Sequence, residues 1–366
     1  MMLTINSLFN DPNIVQATIN RVLQTRKDTI YWQQYLDFRP TVTRVFKDYL
    51  GTVTGVMAGS INSRYGEKPI RERREIGTGY GEIAYLGDRY QISIDRLSEL
   101  KDLVDKFNAA KTADQTTALN NIVNFIYDDY RQVLLAAHKR MDLVVGSLLM
   151  TGKAEVKNKD NSKDSDAPDV LNIELPFDFV VPTSPQVTVD SKLKFISYLR
   201  EELASLAPDY GKFQKMAMSR ATFNKWIVGS TEFGDTFRTI MPANQFYLST
   251  GLMTSQMASD VFVGLGLPAI EIKEDYVKDQ NGKNVAVYAD NHIVLLNNDK
   301  IGWMRHHTPY EATDPENGVT YTPADGQMLI SANRDHEGRY LEYTAEWIPQ
   351  IASPDQIVNI NLESLA

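Results

Sequence analysis

The sequence predicts an α+β protein, and three observations carry the prediction. Apolar residues recur at steps of three and four from about 114 to 151, the signature of one long helix. From about 185 to 300, helical and strand patterns alternate. Over the last forty or so residues the pattern returns to strands, so helices and strands occur in separate blocks as well as mixed ones.

Size and composition allow this. With 366 residues and 43% hydrophobic residues, the chain can build two or three lobes without disulfide staples. It has no cysteine, which excludes a disulfide scaffold, cysteine-ligated zinc, iron–sulfur chemistry and a thiol nucleophile. Thirty-eight Lys and Arg against 47 Asp and Glu give a net charge of −9, which argues against a protein that coats nucleic acid through its phosphates. The first ten residues lack the cationic start and small-residue cleavage pattern of an export signal. No run approaches the ~18 apolar residues of a membrane-spanning helix, so a soluble protein is expected.

Along the chain, Asp11-Pro12 opens a helical pattern of Ile14, Val15, Ile19, Val22 and Leu23. β-Branched and small residues dominate 41–61. Residues 64–75 then gather Arg64, Glu67, Lys68, Arg71, Glu72, Arg73, Arg74 and Glu75 around Pro69, too charged to bury a core face, so a solvated loop or exposed two-stranded arm is expected. Gly77-Thr78-Gly79-Tyr80-Gly81 follows as hairpin sequence.

The long helix carries the stripe Leu119, Ile122, Val123, Ile126, Tyr130, Val133, Leu134, Ala137, Met141, Val144, Val145 and Leu148, with Asp114 as its expected N-cap and Gly152 as a left-handed C-cap. At 1.5 Å per residue it would be about 55 Å long, so something extended must lie along it. Residues 153–169 are a polar loop or hairpin tip, and 173–181 a strand. A separate lobe is expected next, with helices at 192–206, 221–229 and 255–265 and strands at 213–219, 269–273, 285–288 and 292–296. Strands at 327–333, 341–351 and 357–362 close the chain.

Chemistry is sparse. His306 and His307 are adjacent and face opposite ways on a strand, while His138, His292 and His336 stand alone, so no metal set is expected. The glycines at 77–81 lack the dinucleotide-binding spacing, and no phosphate-binding loop or nucleophile elbow occurs. Asp128-Asp129 and Glu201-Glu202 read as solvated helix faces. Asp279-Gln280-Asn281-Gly282 resembles half a calcium loop but lacks its closing glutamate, and reads as a hairpin turn on Asn281-Gly282. No catalytic residue, cofactor or metal is expected. A long arm and spine helix that a monomer leaves incomplete would be completed by neighbours.

Four stretches in order resemble a known family. They are Gly59-Ser60-Ile61-Asn62-Ser63-Arg64 at the loop entrance; the helix 130–152 ending in Leu149-Met150-Thr151-Gly152-Lys153; Asn297-Asn298-Asp299-Lys300-Ile301-Gly302; and Trp347 and Pro349 followed by Ser353-Pro354-Asp355-Gln356-Ile357-Val358-Asn359-Ile360. The third stretch departs from the family's turn, with Asn-Asp where proline and glycine are usual. Together they resemble the major capsid proteins of tailed bacteriophages of the Hong Kong 97 type, most nearly the lambda-type major head protein family (phage major capsid protein E).

The resemblance implies an N-terminal arm at 1–54, an extended loop at 55–95, a peripheral domain at 96–187 and 317–366 holding the spine helix, and an axial domain at 188–316. It implies copies closing through hexamers and pentamers into an icosahedral shell around double-stranded DNA, in virions assembled in the host cytoplasm. The eight charged residues of 64–75 would then contact neighbouring subunits. Expected partners are other copies of the chain, scaffold, portal and decoration proteins, and packaged DNA held without sequence-specific contacts; no membrane is involved. An encapsulin-type cargo shell is the alternative on the same fold, and an enzyme the remaining one.

Overall fold

The computed structural model describes residues 2–25, 29–50, 77–111, 114–157, 170–174, 194–241, 253–279, 281–334, 338–352 and 357–362. The elements run α1 (Ile5–Asn10), α2 (Pro12–Thr25), β1 (Leu36–Pro40), β2 (Val45–Leu50), β3 (Gly77–Glu82), β4 (Ala84–Ile92), α3 (Ile94–Ala109), α4 (Gln115–Thr151), β5 (Lys153–Lys157) and β6 (Val170–Glu174). There follow α5 (Phe195–Tyr210), β7 (Lys215–Ser219), α6 (Arg220–Thr222) leading into a π-helical turn (Phe223–Val228), α7 (Thr231–Ile240), α8 (Ser255–Gly264), β8 (Ala269–Lys273), β9 (Tyr276–Lys278) and β10 (Asn284–Ala286). The chain ends with β11 (His292–Leu296), β12 (Gly302–His307), β13 (Tyr321–Pro323), β14 (Leu329–Arg334), β15 (Arg339–Ile351) and β16 (Ile357–Asn361).

Helix α4 is the spine. It spans 37 residues and stops where the sequence indicates, at Gly152 with φ 74°, whose N–H donates to Leu148 O at 2.9 Å. Asp114 sits at the other end without a side-chain cap hydrogen bond. Ile122, Ile126 and Tyr130 form a one-sided stripe. From Val133 onward burial wraps most of the circumference, including Leu135, His138, Asp142 and Leu149, because strands cover this half on several sides. A Cβ on Gly146 would lie 2.3 Å from Val287 O, so the chain entering β11 crosses the helix where only glycine lets it approach.

Two sheets flank the spine. The larger is ordered β1-β12-β15-β14-β13, with β4 also on β15. The 13-residue β15 is its centre, antiparallel to β14, β12 and β4, and β1 runs parallel to β12. The smaller sheet is ordered β16-β11-β7-β8, with β7 and β8 parallel across the crossover that holds α6, α7 and α8.

Strand β11 explains how two cores coexist. Its five residues are all buried. Ile293 and Leu295 join Phe195, Trp226, Phe233 and Phe262 in one apolar cluster, while Val294 and Leu296 join the cluster built on α4 and the larger sheet. A strand buried on both faces reads as an unbroken apolar run.

The sequence grouping changes in three places. Strand β12, expected inside the 188–316 lobe, belongs to the larger sheet, whereas β16, expected with the spine block, pairs with β11 in the smaller one. Backbone pairing decides membership here and alternating apolar residues do not encode it. Residues 84–92, counted with the extended loop, form β4 of the larger sheet; among the described residues, a separate ladder β2–β3 joins Val45 to Glu82 and Leu50 to Gly77 at the loop's base.

Candidate functional site

The eight charged residues Arg64, Glu67, Lys68, Arg71, Glu72, Arg73, Arg74 and Glu75 lie outside the described residues, and so does His336. What the structure gives is the root from which their segment departs. Thr41 N extends the β1–β12 ladder by donating to His306 O at 2.8 Å, and Ile83 N donates to Arg44 O at 2.9 Å where the two arms of the hairpin meet.

Arg44 secures that root. Its Nη2 and Nε both reach the Glu346 carboxylate, the latter at 3.1 Å, and His307 Nδ1 lies 2.8 Å from Glu346 Oε2. Glu346 is 1% exposed on β15, opposite His307 on one side and Tyr85 on the other. A carboxylate so buried needs its charge-assisted partners. The pairing strengthens Arg44's hold on its proton. Beside it Tyr85 donates to Glu311 Oε1 at 2.9 Å; burial first, then this carboxylate, pushes the phenol pKa up. Val42, Val45, Tyr85 and Tyr310 leave apolar surface exposed.

The histidines take packing positions. As expected on a strand, His306 and His307 face opposite ways: His306 meets Phe38 edge-on at 5.4 Å and Gln327 Oε1 at 3.1 Å, while His307 meets Glu346. His138 stacks on Trp32 at 5.7 Å, and His292 Nδ1 lies 3.2 Å from Asn359 Oδ1. Among the described residues no group of three or more His, Asp or Glu could hold a metal ion, and no helix is long and apolar enough to cross a membrane.

Two acidic readings change. Asp129 is not a simple solvated residue, since Arg96 Nε lies 2.8 Å away while Arg96 Nη2 donates to Phe125 O and so also joins α3 to α4; burial raises the Asp129 pKa. Glu202 is half-buried and its pKa is also raised by burial. The Asn281-Gly282 turn stands as expected, with Asp279 Oδ1 accepting from Asn281 N and Lys283 N. A groove of about 640 Å³ between α8 and the edge of β8 is open and lined by mixed polar side chains such as Lys215, Gln256, Asp260 and Glu271. That lining offers no deep apolar cavity for a small molecule.

No protein-family model matches the sequence, and no curated protein matches it. Solved structures do. A prophage protein of Escherichia coli CFT073, assigned as a capsid protein, superposes with a TM-score of 0.52 at 13% identity over 96% of this chain and 98% of that one. The chain has a phage capsid fold. Also similar are a phage-related protein from Bordetella bronchiseptica RB50, at TM-score 0.48, 8% identity and 96% and 98% coverage, and a virus-like particle from Pyrococcus furiosus, at 0.36, 8%, 95% and 97%. The spine helix and the two cores are built within that α+β capsid fold.

Proposed function

We propose that the chain is the major capsid protein of a tailed bacteriophage, building an icosahedral shell around double-stranded DNA through hexamers and pentamers. The observation that carries this reading is the capsid fold shared over 96% of the chain with the E. coli prophage protein. The ordered sequence motifs, which extend the resemblance to the lambda-type head proteins, support it. In this reading the function is assembly, no catalytic step is needed, and the location is the virion.

The cluster of α4 and the larger sheet corresponds to the peripheral domain, and the cluster of α5, α7 and α8 with the smaller sheet to the axial domain. Arg64, Glu67, Lys68, Arg71, Glu72, Arg73, Arg74 and Glu75 contact a neighbouring subunit, and scaffold, portal and decoration proteins are the further partners. Negative-stain microscopy of the purified protein tests the reading: shells, tubes or capsomer rings are expected, and a monodisperse monomer at all concentrations overturns it. Expression in cells separates the contents, since shells filled with folded protein cargo would favour the encapsulin-type alternative.

A further inference from the structure

The sequence contains two Asn-Gly pairs, Asn281-Gly282 and Asn317-Gly318, and the fold holds them differently. In such a pair the glycine nitrogen can attack the asparagine side chain, because no Cβ shields it. Both pairs are exposed, so hydrogen bonding decides which of them can react. Gly282 N donates to Asp279 O at 2.9 Å, and Asp279 Oδ1 accepts from Asn281 N at 2.9 Å and from Lys283 N at 2.8 Å. Directly behind, β9 and β10 close the loop as a two-stranded ladder. The attacking nitrogen there would first have to give up its bond. Asn317-Gly318 forms the corner of a β-turn closed by Val319 N, which donates to Glu316 O at 3.1 Å. Gly318 has φ 82°, and among the described residues only Asn291 and Gln327 combine a side chain with positive φ, so this is a type II turn whose closing bond leaves the Gly318 N–H unused. Among the described residues neither that N–H nor the Asn317 amide has a hydrogen-bond partner, and a Cβ on Gly318 would meet nothing within 4 Å.

We propose that Asn317 is a site of spontaneous deamidation, which the fold permits here and suppresses at Asn281. Gly318 N gives its proton to hydroxide and bonds to Asn317 Cγ. The Cγ–Nδ2 bond then breaks, and the amide nitrogen takes a proton from solvent and leaves as ammonia. Water opens the resulting succinimide at either carbonyl, so position 317 ends as an aspartyl or an isoaspartyl residue. Water is the only co-reactant, and nothing is oxidised or reduced. The product adds a carboxylate to a loop that already carries Glu311, Asp314 and Glu316, and the isoaspartyl form also adds one carbon to the main chain at the corner of the turn. The next ladder along the chain begins at Tyr321, so the change falls outside the larger sheet and spares both cores. The inference does not depend on the shell reading.

Ageing the full chain tests it. The purified protein is held in mildly alkaline buffer, digested at intervals and mapped by mass spectrometry for the exchange of NH2 by OH, with methyl labelling by an isoaspartyl methyltransferase as a second readout. Asn317 should convert about tenfold faster than Asn281, whose attacking nitrogen must first lose its hydrogen bond and whose loop is anchored by Asp279. In denaturant the two rates should converge, because the difference belongs to the fold. Asp279→Ala, shown by thermal melting to remain folded, should speed conversion at Asn281 and leave that at Asn317 unchanged. Equal rates at the two sites in the folded chain, an Asn317 that stays intact, or a difference that persists in denaturant each overturns the assignment. An Asn281 that converts no faster in D279A overturns the protection ascribed to its loop.

Discussion

Asp142 has no exposed surface, yet it sits on the spine helix as a carboxylate. It accepts from Trp32 N at 2.9 Å and from Lys139 Nζ at 3.0 Å, while burial outweighs both and pushes its pKa up to about 6. A carboxylate whose pKa is raised on folding contributes stability below its unfolded value, near 4, and loses it as pH rises through the folded one, near 6. Asp142→Asn keeps an acceptor for Trp32 N without the charge. The stability of D142N relative to wild type should therefore rise between pH 4 and 7, by up to about 3 kcal/mol; denaturant titrations at both pH values check it, and a constant difference refutes it. Glu346 is a second buried carboxylate, held by Arg44 and His307. Glu346→Gln should leave the fold intact and loosen the hairpin root, seen as faster hydrogen exchange at Ile83 N–H, which donates to Arg44 O. Exchange no faster than in wild type would show that the root is held by the backbone ladder alone.

At the scale of elements the spine helix decides stability. Ile126 and Val133 are 1% and 0% exposed, so each truncation to alanine should cost about 1–5 kcal/mol in denaturant unfolding, with the larger side chain toward the upper end. Unchanged melting in a soluble variant would place the stripe at a subunit contact instead. That helix was legible because its stripe repeats over about eight turns and Gly152 marks its end. Strand β11 was legible as an apolar run, and the Asn281-Gly282 turn from its dipeptide. Helix α3 went unread despite two signals, Ser93, whose hydroxyl accepts from Arg96 N at 3.3 Å, and the spacing of Leu97, Leu100 and Val104. Strand β1 alternates charged and apolar residues, β12 mixes Trp303 and Met304 with Arg305 and two histidines, and both are recruited by their neighbours, so tertiary pairing outweighs weak local preference there. The Arg44–Glu346–His307 cluster joins residues 302 positions apart and had no local signature.

At the scale of the whole molecule, charge is the variable that assembly must control. Arg71, Arg73 and Arg74 belong to the proposed subunit contact, and an exposed pair is worth only about 0.2–1 kcal/mol, so its effect comes from repetition over many copies. Reversing all three to Glu should leave the monomer melting as before and abolish closed particles; normal-sized particles by microscopy would remove that segment from the contact. For the proposed shell, the side facing DNA follows from the same charge argument. DNA has to move while a shell fills and empties, and every phosphate contact repeated over all subunits would add a salt-dependent anchor. A net charge of −9 fits a wall that confines DNA without gripping it. Unassembled protein titrated with fluorescent duplex DNA at about 150 mM salt, where the Debye length is about 8 Å, should show no measurable binding and no base preference. Micromolar binding that weakens steeply with salt would mean that basic residues are concentrated on one surface despite the net count, and the confinement argument would fail with it.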